Sequence, residues 1–367
     1  MSMTSEHRKV RYAVVGAGNI AQVAILPAFA HAKENSELVA VISGDPEKRS
    51  ALRERYSLEA DGEYAQFEEV LERAHVDAVY IATPNALHKE FALRAAARGV
   101  HVITEKPFAP SVADCNEMRE ACQTARVKLM VAYRLHFEEG TLAALEVVRS
   151  GKLGAVRLFS SFFSHVVRPG DIRQDASLGG GAAYDLGVYC INAARNLFDA
   201  EPVLVMADIV EQNGTDDTTS VILRFPGDRQ AQFCLSNSAA SVSTYRIAGS
   251  EGDLRVEPAY DYVSEIVHYL TLGGDTKKTS YPRGDQFAPE IEHFSDCVLH
   301  DLAPEPSAEE GTCDVRVVEA ILASARSKRP VELPPHTRQR RPSPAQAVHE
   351  RPVKKQETVK APGPSLR

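Results

Sequence analysis

"VRYAVVGAGNIA", residues 10–21, decides how the chain begins to fold. Its first half, Val10 to Val15, is a short apolar run stopped by glycine, which reads as a buried strand. Its second half, Gly16-Ala17-Gly18-Asn19-Ile20-Ala21, matches G-x-G-x-x-[GA], and a helical pattern, "QVAILPAFAHA", follows. Gly16 permits a tight turn and Gly18 lets a pyrophosphate approach the backbone. The start of the next helix, at Asn19 and Ile20, faces that anion. Strand, glycine turn and helix in this order predict a dinucleotide site.

Working outward, "ELVAVISGD", "VDAVYIA", "VHVITEKP" and "VKLMVAY" read as further buried strands. Between them lie helical "PEKRSALRERY", "AQFEEVLERA", "NALHKEFALRAAARG" with Gly99 as its stop, and "SVADCNEMREACQTA" opened by Ser111. This alternation predicts an α/β fold, a doubly wound parallel sheet with helices on both faces, over residues 1–133. After Tyr133 the texture changes. Strand-like runs from Val203 to Val256 are broken at Gly227-Asp228 and between Gly249 and Gly252, and helices "QFAPEIEHFSDCVLH" and "CDVRVVEAILASARS" follow. Residues 134–333 are therefore expected to form a second, α+β domain with an open, mostly antiparallel sheet. A chain of 367 residues is long enough for two cores.

Composition narrows the class. Apolar residues make up 44% and charged residues 25%, as in a water-soluble globular protein. No apolar run approaches the ~20 residues that span a bilayer, and the opening "MSMTSEHRKV" lacks the apolar core of an export signal. A cytoplasmic protein without a membrane partner is the expectation. The six cysteines form no CxxC and sit among apolar residues, so free buried thiols and no metal site are expected. The net charge of −8 is uneven: from His336 onward eight Lys/Arg and two Glu give +6, leaving −14 (−8 minus 6) for the rest. This Pro-rich basic tail, residues 334–367, is expected to be disordered. The acidic body argues against nucleic acid as the main partner.

Ligands of a doubly wound sheet bind at the C-terminal edge of its strands, and four strand ends carry polar residues there. The second strand ends in Ser43-Gly44, where NAD-type sites place a carboxylate. A hydroxyl and a glycine leave room for a 2′-phosphate, with Lys48 and Arg49 to supply charge. NADP is therefore expected, with NAD kept open by the neighbouring Asp45. The next edge carries Thr83-Pro84-Asn85, with His88 one turn on as either a site residue or a structural histidine. Glu105-Lys106-Pro107 follows, then Arg134, which either pairs with a cofactor or sugar oxygen or holds the domains together. In "GGGAAYDLGVYCIN", residues 179–192, Asp185 and Tyr189 are four apart and share one helix face, while Tyr184 is out of phase and reads as packing or hydrogen bonding.

Together "GAGNIA", "ATPNALHKEFALRAAARGVHVITEKP", "YRLHFE", "GGGAAYDLGVYCIN" and "EEGTCDVRVVEAILASARSKRPV" resemble the Gfo/Idh/MocA oxidoreductases over Val10 to Val331. Within that family the chain is most similar to the glucose–fructose oxidoreductase and aldose (xylose) dehydrogenase subgroup. The resemblance implies a Rossmann domain, an open sheet used for dimers or tetramers, and catalysis by Lys106. Tyr189 stands where many members have histidine, which resembles that subgroup, as does Ser43 to Lys48. The expected reaction is oxidation of a cyclic aldose at C1 to the lactone. A free tyrosine, with a pKa of about 10, is a poor base near neutrality, and a nearby ammonium favours its phenolate. Lys106 is the expected ammonium. Asp185 orients the sugar, accepts from a hydroxyl, or holds Lys106. The alternatives are an oxidoreductase for a trans-dihydrodiol or another sugar carbonyl, or a nucleotide-binding regulator without chemistry. The subgroup's long N-terminal arm, which helps retain the cofactor, is not found in this sequence, so an exchangeable NADP is expected.

Overall fold

The computed structural model describes residues 8–354 and 356–365. The reading of the N-terminus falls mostly on residues 1–7, outside the described residues. The first sheet has six parallel strands: β1 (Val10–Val15), β2 (Ser36–Ile42), β3 (Ala60–Gly62), β4 (Ala78–Ile81), β5 (His101–Glu105) and β6 (Leu129–Ala132). Their order is β3-β2-β1-β4-β5-β6, the doubly wound arrangement expected. Alternate residues of β1 serve opposite faces. Val10, Tyr12 and Val14 join one core cluster, and Ala13 and Val15 join the other with Phe67, Phe91 and Met118.

The helix Ala288–Leu299, placed by sequence in the second domain, packs on the first of these faces through Ala288, Ile291 and Phe294. The Tyr12 hydroxyl pairs with Ser295 Oγ at 2.7 Å. An apolar stripe of that spacing covers whichever sheet face lacks a helix, and linear order does not record which face that is.

The second sheet has nine strands: β7 (Leu158–Ser164), β8 (Leu204–Gln212), β9 (Thr215–Phe225), β10 (Arg229–Ser236), β11 (Val242–Ala248), β12 (Gly252–Val256), β13 (Ile266–Leu272), β14 (Asp275–Tyr281) and β15 (Val331–Glu332). Their order is β14-β13-β12-β11-β7-β10-β9-β8-β15, and only the β7–β10 pair is parallel. The turns at Gly227-Asp228 and Gly249 to Gly252 fall where expected. The β13–β14 hairpin and the three-residue β3 have no counterpart in the sequence reading. Five of the six cysteines are buried and Cys234 is partly exposed. Among the described residues no helix is long and apolar enough to cross a membrane.

The tail departs from the expected disorder. Its described residues have little regular secondary structure, yet several lie against the body. Arg338 is buried, with Nε 2.5 Å from Glu201 Oε1 and Nη1 donating to Glu310 Oε2 at 2.6 Å and to Asn196 Oδ1 at 2.7 Å. It joins Arg195, which is fully buried against Glu201, Glu310 and Asp314. Farther along, Arg341 pairs with Asp199 at 2.5 Å. Tail composition alone omits the acidic body, which supplies the partners that a buried cation requires.

Candidate active site

A cleft of about 1260 Å³ lies between the two domains. Gly18, Asn19, Ile20, Thr83, Pro84, Asn85, His88, Glu105 and Lys106 line it from the first, Arg134 from the junction just after β6, and Asp185 and Tyr189 from the second. Gly16 lies just beneath, with φ +99°, and a Cβ there would come 2.6 Å from the Ala82 carbonyl oxygen. Only glycine fits that turn. At Gly18 a Cβ would meet nothing within 4 Å, so the backbone is open to a ligand. Thr83 Oγ1, both side-chain polar atoms of Asn85 and His165 Nε2 are buried in the cleft walls without partners among the described residues. Buried polar atoms are normally paired. A polar ligand in the cleft satisfies them, so these residues fit a dinucleotide and a hydroxylated substrate.

Ser43, Gly44 and Lys48 are not part of the cleft wall but lie beside it, where β2 ends. Asp45 caps the helix Pro46–Tyr56, its Oδ1 accepting from Glu47 N at 2.9 Å and Lys48 N at 3.2 Å. Its carboxylate is thereby committed to the helix. Arg49 donates to the Ser43 carbonyl at 2.6 Å and approaches Asp61 at 3.5 Å. Lys48 makes no ion pair among the described residues.

Lys106 reaches across to the second domain. Its Nζ donates to Asp185 Oδ1 at 2.9 Å and to the Asp185 carbonyl at 3.1 Å. It also lies 4.6 Å from the centre of the Tyr189 ring. Burial opposes the ammonium, but Asp185 and then Tyr189 outweigh burial and raise its pKa above the ordinary lysine value. Asp185 Oδ2 accepts from Arg173 Nε at 2.7 Å. Burial opposes the carboxylate as well, yet Arg173 and Lys106 hold it well below the usual carboxylate range. Of the three roles open to Asp185, this geometry favours holding Lys106, since each carboxylate oxygen already has a cation.

Arg134 donates to the Tyr189 hydroxyl at 3.2 Å and to the Tyr260 carbonyl at 2.6 Å, and it also pairs with Gln286. Seated just after β6, it ties that strand end to the second domain and touches the phenol. His88 is buried with Nδ1 3.0 Å from the Pro107 carbonyl and Nε2 3.1 Å from the Thr83 carbonyl. It braces two strand ends, the structural alternative, and both nitrogens face the backbone. Glu105 also turns inward, accepting from Tyr80 at 3.0 Å and from Lys106 N at 3.2 Å. Tyr184 donates to the Pro110 carbonyl at 2.5 Å and ties the domains together.

The glycine run positions this group. Gly181 has φ +124°, and a Cβ there would lie 1.9 Å from Asp216 Oδ1. Asp216 uses that space to accept from Ala183 N at 2.6 Å, capping the turn that carries Asp185. Burial pushes its carboxyl up to about 6. The turn Ala183–Gly187 is a wide π-turn that runs into the helix Val188–Phe198, a distortion frequent at functional sites. Arg173, His165 and Asp216 were absent from the sequence reading. Each acts through a spatial neighbour, and only the strand-end position of His165 in "FFSHV" carries a local signal.

Residues 10–133 match the model described as "Oxidoreductase family, NAD-binding Rossmann fold", and residues 126–255 match "GFO/IDH/MocA C-terminal domain". The D-xylose 1-dehydrogenase (NADP(+)) of Haloarcula marismortui is 30% identical over 342 residues, covering 90% of this chain and 95% of the relative. The aldose-aldose oxidoreductase of Caulobacter crescentus, solved with glycerol, superposes with a TM-score of 0.84 at 36% identity, covering 89% of this chain and all of that one. A 3-ketoreductase from Actinomadura kijaniata, solved with NADP and TDP-benzene, gives 0.80 at 26% identity over 86% of this chain and 98% of its own. With both domain models matched in order along one chain, the protein belongs to the Gfo/Idh/MocA oxidoreductase family.

Proposed function

We propose that the protein is an NADP-dependent sugar oxidoreductase that oxidises a cyclic aldose at C1 to the lactone, with Tyr189 as its acid–base group. The observation that carries this reading is the placement of two cations at one phenol. Arg134 donates to the Tyr189 hydroxyl, and Lys106 lies against its ring. Both stabilise negative charge on the oxygen, which in its phenolate form takes the proton of the sugar hydroxyl. Asp185 keeps Lys106 in place from the second domain. When bound, the nicotinamide supplies the hydride acceptor. His165 Nε2 and Asn85 offer hydrogen bonds to sugar or ribose hydroxyls. Lys48, without an ion pair among the described residues, is the cation for a 2′-phosphate. The likeness to a xylose dehydrogenase and to an aldose-aldose oxidoreductase supports the substrate class.

The aromatic wall of the cleft, Phe163, Tyr189, Tyr260 and Tyr262, supports a second reading in which the substrate is a trans-dihydrodiol. A panel of aldoses and diols with NADP and NAD, followed by nicotinamide reduction and product chromatography, separates the two. We expect reduction with an aldose, a lactone product, and a kcat/KM for NADP at least about tenfold above NAD, as one extra charge-assisted contact provides. Turnover of diols alone selects the second reading. NADP binding without reduction by any substrate selects a regulator.

The strand register places Leu158, Phe162, Met206 and Val210 on the outer face of the second sheet, all more than 40% exposed. An apolar face of this kind supports self-association. Sedimentation equilibrium should show a dimer or tetramer, and a monomer at micromolar concentration refutes it.

A further inference from the structure

The C-terminal segment 356–365 crosses the mouth of the cleft. At one end it is fastened to the dinucleotide turn and its neighbours. Asn19 Nδ2 donates to the Ala361 carbonyl at 2.9 Å. Gln22, fully buried one turn into the helix, donates to the Val359 carbonyl at 3.0 Å and accepts from Val359 N at 2.7 Å. Lys360 Nζ pairs with Glu47 at 2.7 Å, and Arg55 donates to the Glu357 carbonyl at 2.7 Å. At the other end the segment is fastened to the second domain. Ser365 bridges Val167, and Arg168 N donates to the Pro364 carbonyl at 2.8 Å. Along the segment, Gln356, Thr358, Gly363, Pro364 and Ser365 line the cleft that also contains Lys106 and Tyr189.

A segment tied to Asn19 on one side and to Arg168 on the other closes the gap between the domains. Wide opening of the cleft requires one set of anchors to break. We propose that residues 356–365 are a latch over the dinucleotide, which detaches to let NADP(H) enter or leave and otherwise retains it. The proposal rests on the dinucleotide reading of the cleft. It reverses the expectation of a freely exchanging cofactor. The anchors are mostly backbone carbonyls, so they leave no side-chain motif in the sequence. Each is a modest hydrogen bond or an exposed ion pair, which suits a contact that opens reversibly.

The test is the release of NADPH, followed by stopped-flow fluorescence with excess NADP as the chase. Three full-length or shortened forms are compared: the whole chain, Lys360→Glu in the whole chain, and a chain ending at Arg351. The shortened form keeps Arg338 and its buried ion cluster. Losing several hydrogen bonds at once should speed release at least tenfold in the shortened chain. Lys360→Glu, which sets two acids against each other, should speed it about threefold. Should the shortened chain not fold, Lys360→Glu carries the test. Bound NADPH should also slow tryptic cleavage after Lys354 and Lys360. Release rates within twofold of one another overturn the latch. So does tighter NADPH binding by the shortened chain, or faster tryptic cleavage with cofactor, since either places the segment in the cofactor's own space. If the full chain binds no NADPH, the cleft reading itself fails and the latch with it.

Discussion

Replacing Tyr189 by phenylalanine is expected to lower kcat by about two to four orders of magnitude, the usual worth of a positioned acid–base group. The substitution isolates one atom. The remaining phenyl ring would keep the contacts that Tyr189 makes with Phe163 at 5.6 Å and Tyr260 at 5.9 Å, and the Lys106 ammonium would still face it at 4.6 Å. Arg134 would lose one acceptor but keep the Tyr260 carbonyl and Gln286. Fold and dinucleotide turn are untouched, so the Kd for NADP should stay within about twofold. If Tyr189→Phe retains the wild-type kcat on the true substrate, proton transfer belongs to another group.

The parts of this site differ in how plainly the sequence announces them, and the difference follows the range of the forces involved. β1 and the Gly16 turn are legible because strand, turn and helix are consecutive and each obeys a local rule. Lys106 and Tyr189 are legible by a longer route: each sits at a local landmark, a strand end and a helix face, and resemblance joins the landmarks. Asp185 is legible as a site residue, but its role depends on Arg173, which lies 12 residues earlier in a turn with no periodicity. Gly181 is the last of three consecutive glycines in sequence. In space it makes room for the Asp216 carboxylate, 35 residues on, and nothing in "GGGAAYD" reveals that partner. The tail is the largest departure. Its composition matches disorder, and its partners are the acidic groups Glu201, Glu310, Asp199 and Glu47, scattered over the rest of the chain.

Replacing Lys106 by alanine should lower kcat by about two to three orders of magnitude, the effect of removing one preorganised charge from a site. Binding of NADP should fall far less, because the glycine turn and the β2 end do not depend on this side chain. Lys106→Arg should restore little. A planar guanidinium cannot place one compact charge between Asp185 Oδ1 and the Tyr189 ring. Stability gives a check independent of turnover. Lys106 and Arg173 hold the Asp185 carboxyl well below its unfolded value. A depressed carboxyl contributes stability above its unfolded pKa of about 3.9, and that contribution disappears as pH falls toward the folded value. Removing Lys106 lets the folded value rise, so part of the contribution is missing at neutral pH. The Tm gap between wild type and Lys106→Ala should therefore be widest near neutrality and narrow in acid, as pH falls through the folded value that Asp185, still paired with Arg173, takes in the variant. A gap that stays constant across this range would falsify the pairing, while a variant with full kcat removes Lys106 from the chemistry. Narrowing together with lost turnover is the result that ties the ion pair across the cleft to the proton held at Tyr189.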